Sequence, residues 1–320
     1  MKFGLFGLHR GPGIAPDVLA RRARAAEDAG FESLWVGDHI ALPSGLPGAQ
    51  EPRLEALATL FYLAAVTSSV RLAAGVLVIP QRNPVLLAKQ LTSLDVLSKG
   101  RLIVGVGVGH IEGELAALGV PMSERGSRAD DGLARIRELW TGSPPGVVPT
   151  VGGEVVQVPT PVQDPHPPIV VGGHSRAALA RAARVGNGWF GWLTPPDRTR
   201  ELIQHLAHLA EAQTQREVLG PLEITVAAPG AVSLDVVDAY ERIGVSRLVV
   251  GPDTAYGVEP DRFIEAFQRD VLAHQTTKAR QPWNRHGGRK PANPSQPAWD
   301  GDQHNTTGSA RGGRSARFRP

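Results

Sequence analysis

The chain has 320 residues, of which 42% are hydrophobic and 20% are charged, proportions that are typical of a folded globular protein. It contains no cysteine, which excludes disulfide bonds and thiolate metal sites. No apolar run reaches the ~18–20 residues that span a bilayer, and the N-terminal run is too short for a secretory signal, so we expect a cytoplasmic protein with no membrane partner.

The net charge of +3 is unevenly distributed along the chain. Residues 278–320 hold nine basic and two acidic side chains, so this segment carries +7 and residues 1–277 carry −4. The basic character therefore belongs to the C-terminal segment and does not indicate a nucleic-acid partner. Because that segment is rich in Pro, Gly and Arg and has no apolar periodicity, we predict a disordered basic tail over 278–320 and one folded domain over 1–277.

Apolar strands alternate with amphipathic helices throughout the predicted domain. The predicted strands cover 2–9, 33–39, 70–79, 101–110, 168–173, 188–192, 222–228 and 247–252. The predicted helices cover 16–30, 54–67, 84–100, 128–140, 175–185, 197–215, 234–243 and a last segment that carries Phe263, Phe267 and Val271. A turn-rich stretch over 143–168, with a possible hairpin around Gly152 and Gly153, interrupts the alternation.

Eight strand–helix units imply a parallel sheet with crossover helices. Eight units within residues 1–277, close to the ~250 residues typical of the fold, fit a (β/α)8 TIM barrel with insertions in the βα loops better than an open sheet. A doubly wound open sheet is the alternative, because alternation by itself does not prove that the sheet closes.

The fourth strand, RLIVGVGVGH, ends in three alternating glycines, Gly105, Gly107 and Gly109. A dinucleotide fingerprint has the form GxGxxG and opens the first βα unit, whereas this strand is the fourth and has His110 at the position of the last glycine. The run is therefore not a Rossmann loop. In a barrel it would lie at the active-site end, where glycines let a flat ligand approach the backbone, although a crowded barrel interior explains one of them equally well.

Three histidines, His9, His39 and His110, follow predicted strands and would meet at the same end of a barrel. Together with Glu112 and Glu114 they raise the alternative of a metal-dependent barrel hydrolase. The HxH pair typical near the first strand of such enzymes is absent from this sequence, so we predict no metal site.

The segment VVGGHSRAALARAA is the best candidate for a phosphate site. A strand ends in Gly172 and Gly173, and Ser175 begins a helix whose first turn has free N–H groups. An ordinary βα turn with a serine cap has the same pattern, and the spacing does not decide between the two.

Four segments together resemble the bacterial luciferase-like monooxygenase superfamily, and especially its branch that uses coenzyme F-420, an 8-hydroxy-5-deazaflavin. They are AAEDAGFESLWVGDHIALP, RLAAGVLVIPQRNPVLLAKQLTSLDVLSKGRLIVGVGVG, ERGSRADDGLARIRELW and PPIVVGGHSRAALARAARVGNGWFGW. The resemblance extends over most of residues 1–250 and implies a (β/α)8 barrel with insertions.

The resemblance also implies catalytic residues. It places Asp38 beside the deazaflavin ring, as a cofactor-binding and catalytic residue, and His39 near the reactive face, where a histidine exchanges a proton with the substrate. His110 would assist. It further implies a reaction that transfers a hydride between F-420 and a small organic substrate.

The remaining implied residues bind the cofactor. A non-prolyl cis peptide between Gly75 and Val76 would support one face of the ring, and Gly107 and Gly109 would line the other. Gly172, Gly173, His174 and Ser175 would hold the cofactor phosphate, with Arg82 and Arg176 supplying positive charge. Trp189 and Trp192 would form a wall on the substrate side or belong to the core.

The sequence departs from the family pattern at two positions. Some F-420 dehydrogenases have a glutamate where this chain has His110, and some members have a cofactor-binding asparagine where this chain has Gly113. We therefore assign neither a sugar phosphate nor an alcohol as substrate.

Other functions stay open at this point. The alternatives are an FMN-dependent monooxygenase that uses molecular oxygen and a non-catalytic flavin-binding protein. A composition rich in Ala, Gly, Pro and Arg is associated with proteomes that use F-420, which favours F-420 over FMN. The family also implies a homodimer.

Overall fold

The computed structural model describes residues 1–213, 216–252 and 259–274. The predicted disorder of 278–320 lies outside these residues. Within the described ranges, no helix is long and apolar enough to cross a membrane.

Eight parallel strands form a closed barrel, with helices between consecutive strands. The barrel strands are β1 (Lys2–Phe6), β2 (Ser33–Val36), β3 (Arg71–Ala74), which continues as the short β4 (Leu77–Val78), β5 (Leu102–Gly107), β8 (Ile169–Gly172), β9 (Gly188–Gly191), β10 (Glu223–Ala227) and β11 (Arg247–Val250). A separate hairpin consists of β6 (Val147–Thr150) and β7 (Gly153–Val156). The helices are α1 (Pro16–Ala29), α2 (Ala56–Val66), α3 (Pro84–Leu97), α4 (Glu112–Ala117), α5 (Arg125–Thr141), α6 (Arg176–Val185), α7 (Pro196–Glu211), α8 (Arg216–Leu219), α9 (Leu234–Arg242) and α10 (Pro260–Phe267).

Each of the eight barrel strands pairs with a neighbour on both sides, so the sheet is closed. β1 pairs with β11 with Lys2 opposite Arg247, and β3 pairs with β5 with Leu72 opposite Leu102. All eight barrel pairings are parallel. The predicted TIM barrel is therefore confirmed, the doubly wound alternative is wrong, and the predicted hairpin around Gly152 and Gly153 is present as an antiparallel pair.

Several helix ends follow the sequence signals that predicted them. Asn83 caps α3 by accepting hydrogen bonds from the N–H groups of Val85 and Leu86, and Pro84 occupies the first turn. Gly30 ends α1 in the left-handed conformation, with φ of 96°. The helices accordingly pack around the barrel where their apolar faces predict.

Alternation along the strands divides the core into two layers. Side chains on the outward faces of the strands pack against the helices, whereas a smaller cluster fills the barrel interior. Its largest members, Trp35 and Phe190, are stacked with ring centroids 5.1 Å apart. Gly4 makes room for the indole, because a Cβ there would lie 2.5 Å from Nε1 of Trp35. These aromatic rings plug the barrel beneath its carboxyl-terminal mouth.

Arg247 closes the opposite end of the barrel as a fully buried cation. Its guanidinium donates to both carboxylate oxygens of Glu32 at 2.8 Å, contacts Glu223 and lies 5.9 Å from the ring of Trp35. Burial alone would raise the pKa of Glu32 and of Glu223, but Arg247, together with Ser33 and Arg71 at Glu32 and with Lys2 at Glu223, outweighs burial and lowers both pKa values. The amino-terminal end therefore depends on one interior cation and two carboxylates.

Replacing this cation is expected to destabilise the fold. Arg247→Met leaves two partly buried carboxylates without their main partner, which should lower the free energy of unfolding by about 3 kcal/mol. Urea unfolding at neutral pH measures the change. The control Arg200→Met removes an exposed ion pair with Asp197 and should change it by less than about 0.5 kcal/mol.

The difference in unfolding free energy between wild type and Arg247→Met depends on pH. The folded pKa of Glu32 and Glu223 is lowered, so the stabilisation is complete above the unfolded glutamate pKa of about 4.3 and is lost as the pH falls through the lower folded value. The difference between wild type and Arg247→Met should shrink as the pH falls below about 4. If Arg247→Met lowers the free energy of unfolding at neutral pH by no more than Arg200→Met does, this role for Arg247 is contradicted.

Candidate active site at the barrel mouth

The predicted site residues lie at the carboxyl ends of four consecutive barrel strands. They follow β2 (residues 37–41), β3 (75–76), β5 (107–110) and β8 (172–175), and these strands are neighbours in the barrel. The residues therefore lie on one arc of the mouth, which is where TIM-barrel enzymes carry their active sites.

The predicted third strand is broken at the mouth by a cis peptide bond between Gly75 and Val76, as the family resemblance implies. This strand lies close to its neighbour, β5, on both sides of the break. A Cβ at Gly105 would lie 1.8 Å from the carbonyl oxygen of Ala74, so only glycine fits there. A side chain at Gly107 would lie 2.6 Å from Val76. These glycines of the fourth strand accommodate the break.

The side chain at the break is that of Val76. It is half-buried and lies between Gly107 on β5 and Gly172 on β8, where added Cβ atoms would approach its methyl groups to 2.6 and 2.8 Å. We call Val76, Gly107 and Gly172 the glycine floor. Gly109 has a separate reason to be glycine, since its φ is +78° and a Cβ would lie 2.9 Å from Val78.

Asp38 was predicted to lie beside the ring and to exchange protons, but its carboxylate has no exposed surface. One oxygen accepts hydrogen bonds from the N–H of Val78 at 2.8 Å and from Nη1 of Arg82 at 2.6 Å, and the other accepts from Nη2 of Arg82 at 2.7 Å. The bidentate arginine and the backbone donor occupy the carboxylate. Asp38 therefore joins the end of β2 to β4, and Arg82, which also contacts Glu55, is not a free cation for a phosphate.

His39 is half-buried and is oriented by Glu114, a residue of α4. Nδ1 of His39 lies 3.1 Å from Oε2 of Glu114, and Oε1 of Glu114 accepts hydrogen bonds from the N–H groups of Ile40 and Ala41 at 2.6 and 3.3 Å. Burial would raise the pKa of Glu114, but the contact with His39 and these backbone donors lower it. A carboxylate only accepts hydrogen bonds, so Nδ1 of His39 must donate and Nε2 is left for a ligand.

His9 holds the same loop from the side of β1. It is buried, and its Nε2 accepts a hydrogen bond from the N–H of Gly37 at 3.1 Å. Burial, helped by the positive charges of Arg10 and Arg53, lowers the pKa of His9 to about 3, so its ring is neutral. His9, Asp38 and Glu114 thus fix residues 37–41, which we call the β2 loop, from three sides.

His110 and Gly113 follow the glycine run with different surroundings. His110 is exposed at the mouth, one residue after Gly109. A Cβ at Gly113 would lie 2.8 Å from Cγ of Pro43, which packs against α4 at this point. The cofactor-binding asparagine of some relatives would therefore collide with the loop that follows β2.

The segment from Gly172 to Arg176 has the predicted features of an anion site. Gly173 has a φ of +118°, and Ser175 caps α6 by accepting a hydrogen bond from the N–H of Ala178 at 3.2 Å. Arg176 is exposed in the first turn of the helix. Positive helix charge, free first-turn N–H groups and an exposed cation therefore coincide.

His174 has a partner that the sequence did not suggest. Its Nε2 accepts a hydrogen bond from the N–H of Trp192 at 3.1 Å. Burial, followed by the charge of Arg198, lowers the pKa of His174, which favours the neutral ring that this bond requires. His174 thus connects the predicted phosphate segment to the end of β9.

The tryptophan in β9, Trp189, and the tryptophan that follows this strand, Trp192, have different environments. Trp189 is fully buried and its indole N–H donates to the carbonyl of Gly173 at 2.8 Å, so it belongs to the core. Trp192 is 38% exposed and its ring centroid lies 4.8 Å from that of Phe6 and 6.1 Å from that of Phe190. We call Phe6, Phe190 and Trp192 the aromatic wall.

A metal centre finds no support in the part of the chain that the structure describes. No three His, Asp or Glu side chains there are arranged to hold an ion. Glu114, which the sequence offered as a ligand, instead binds His39 and two backbone N–H groups.

The orientation of His39 can be tested by ¹⁵N NMR of histidine-labelled protein. At alkaline pH we expect the proton of His39 on Nδ1, because the Glu114 carboxylate cannot donate. In Glu114→Gln the side-chain amide can also donate to Nδ1, so the Nε2–H tautomer should become populated. Glu112→Gln, at an exposed position of the same helix, is the control. An unchanged tautomer in Glu114→Gln would contradict the assignment.

Comparison with known proteins agrees with this geometry. Residues 1–312 match the family described as luciferase-like monooxygenase. An uncharacterized protein of Mycobacterium tuberculosis is 34% identical over 276 residues, which cover 78% of this chain and 93% of that protein. An F420-dependent secondary alcohol dehydrogenase has the same fold, with a TM-score of 0.69 and 15% identity over 85% of this chain and 98% of that one.

Two relatives with named activities use different cofactors. The F420-dependent glucose-6-phosphate dehydrogenase of Amycolatopsis mediterranei is 37% identical over 132 residues, 40% of this chain and 39% of that enzyme. The FMNH2-dependent dimethylsulfone monooxygenase of Pseudomonas putida is 33% identical over 180 residues, 54% of this chain and 48% of that enzyme. The match over residues 1–312 covers nearly the whole chain, which therefore belongs to the luciferase-like monooxygenase family.

Proposed function

We propose that this flavin- or deazaflavin-dependent oxidoreductase uses coenzyme F-420 and transfers a hydride between it and a small organic substrate. The observation that carries the proposal is the contact between His39 and the buried carboxylate of Glu114, 3.1 Å apart at the barrel mouth. Hydride transfer to or from an organic substrate is accompanied by the transfer of one proton, and an oriented histidine is suited to exchange that proton.

The residues at the mouth fit a flat ring with a phosphate-bearing side chain. The glycine floor carries no side chain larger than Val76, so a planar ring can approach it closely. The start of α6, with Gly173, Ser175 and the exposed Arg176, suits the phosphate. When bound, F-420 supplies a carbon that accepts or donates a hydride.

The side chains of this protein then have separate parts in the reaction. Nε2 of His39 accepts the proton that the substrate loses in the oxidising direction and returns a proton in the reducing direction. Glu114 holds Nδ1 and stabilises the charge that appears on the ring when the proton arrives. Asp38 is a positioning residue, and the exposed His110 exchanges protons with solvent near the same end of the barrel.

An FMN-dependent monooxygenase that uses molecular oxygen is the second candidate. It is favoured by the longer match to the dimethylsulfone monooxygenase, 180 residues against 132 for the F420-dependent relative. The cofactor distinguishes the two functions, because reduced FMN reacts readily with oxygen and a reduced deazaflavin does not. A non-catalytic flavin-binding role leaves the His39–Glu114 pair without a function.

Parallel titrations with oxidised F-420 and with FMN test the cofactor. Fluorescence quenching should show F-420 binding at least about tenfold more tightly than FMN, a difference of about 1.4 kcal/mol. Arg176→Ala should weaken F-420 binding by a factor of about 3–10, because it removes an exposed cation near the phosphate. Arg200→Ala, an exposed arginine of α7, is the control.

Two outcomes would contradict the proposal. Tighter binding of FMN than of F-420 would move the protein to the oxygen-using branch. If neither cofactor binds, the glycine floor is not a ring site and the start of α6 is not a phosphate site.

A further inference from the structure

Trp192 exposes an aromatic face directly above the barrel interior. Its ring contacts Phe6 and Phe190, which belong to the interior cluster, yet 38% of the residue is exposed. Leu193 beside it is 41% exposed. Two large apolar side chains thus remain in contact with solvent at the mouth, where a bound molecule would remove that surface from water.

Hydrogen bonds hold the backbone of residues 192–194, which follows β9 and carries these two side chains. Leu193 has a φ of +49°, an unfavourable conformation for a residue with a side chain. His174 fixes the N–H of Trp192, and the carbonyl of Thr194 accepts hydrogen bonds from the hydroxyls of Tyr240 and Thr199 at 2.6 and 3.2 Å. Hydrogen bonds on both sides of Leu193 therefore fix the backbone that carries the two exposed side chains.

The arginines on the β1 and β2 side of the mouth are neutralised by carboxylates. Arg10 and Arg53 pair with Glu51 at 3.8 and 2.7 Å, and Arg82 pairs with Asp38 at 2.6 Å. On the other side of the wall, Arg198, whose charge acts on His174 beside Trp192, pairs with Glu201 at 2.6 Å. An anionic substrate would lose hydration there without gaining a cation.

The neighbouring histidines do not change this charge balance. His9, whose ring packs edge-on against Phe6, has a pKa of about 3 and is neutral. His174 has a lowered pKa and uses its acceptor nitrogen for Trp192. The exposed cation Arg176 lies at α6, next to the glycines assigned to the cofactor phosphate.

We infer that the substrate half of the mouth binds a planar, uncharged organic molecule, with one face packed against Trp192. This inference rests on the proposed function, since it takes the α6 side of the mouth as the cofactor half. Stacking on an exposed indole supplies the affinity, and phosphorylated and carboxylate analogues bind less tightly because the arginines named above are already paired with carboxylates. Trp192 is thus the specificity-determining residue, and His174 is a positioning residue that holds it.

Three small probes separate shape from charge. They are 2-acetylnaphthalene, which is planar and uncharged, 2-naphthoate, which has nearly the same shape and is an anion, and cyclohexyl methyl ketone, which is uncharged and not planar. Calorimetric titration of the full chain, with and without saturating F-420, should show 2-acetylnaphthalene binding at least about tenfold more tightly than either of the others.

Matched variants identify the surface that is responsible. Trp192→Ala should weaken binding of 2-acetylnaphthalene by about tenfold while F-420 affinity stays within about twofold, and Trp192→Phe should restore most of the loss. Leu86→Ala, an exposed apolar residue on α3, is the control and should change neither affinity.

The outcomes separate this inference from the cofactor assignment. If F-420 binds but 2-naphthoate binds as tightly as 2-acetylnaphthalene, or Trp192→Ala has no effect, the inference is overturned and the proposed function stands. If F-420 does not bind, the proposed function fails, and the titrations without cofactor still decide whether Trp192 selects planar, uncharged molecules.

Discussion

The close approach of the broken third strand to its neighbours determines how the mouth is built. The carbonyl oxygen of Ala74 occupies the space that a Cβ at residue 105 would need, and Val76 occupies the space beside Gly107 and Gly172. Only glycine tolerates such contacts with backbone and with a packed methyl group. Two residues after Val76, the N–H of Val78 donates to Asp38, so this hydrogen bond joins the strand that carries the floor to the β2 loop. His39 follows Asp38 directly in the chain, so its position depends on this connection.

The two halves of the mouth differ in charge, and hydrogen bonds made by Gly173 and His174 connect them. On one half, the start of α6 and Arg176 offer positive charge next to a floor without large side chains. On the other half, the aromatic wall lies near arginines that carboxylates already neutralise. His174 belongs to the first half and accepts from the backbone of Trp192 in the second. This arrangement suits a charged cofactor on one side of the reacting atoms and an uncharged substrate on the other.

Local patterns in the sequence predicted the fold more completely than the site. Strand–helix alternation and signals such as Asn83-Pro84 and Gly30 predict elements whose determinants are near neighbours in the chain, and the barrel is confirmed. The role of Glu114 was missed because its partner, His39, is 75 residues away, and no periodicity relates them. Asp38 was given proton exchange because its neighbour His39 suits that chemistry, whereas burial with Arg82 gives it a positioning role. The alternative that a crowded barrel interior explains one of the glycines fits Gly105, where a Cβ would lie 1.8 Å from the carbonyl oxygen of Ala74.

The most direct test of this account is a crystal structure of the protein with oxidised F-420. We expect the deazaflavin ring against Val76, between Gly107 and Gly172, with its phosphate at Ser175 and Arg176 and with Nε2 of His39 directed toward the ring. The face of the ring away from Val76 should be open to Trp192. A ring bound elsewhere, or a His39 that has left Glu114 to turn Nε2 away from the mouth, would contradict the central claim that the glycine floor and the β2 loop together form the reaction site.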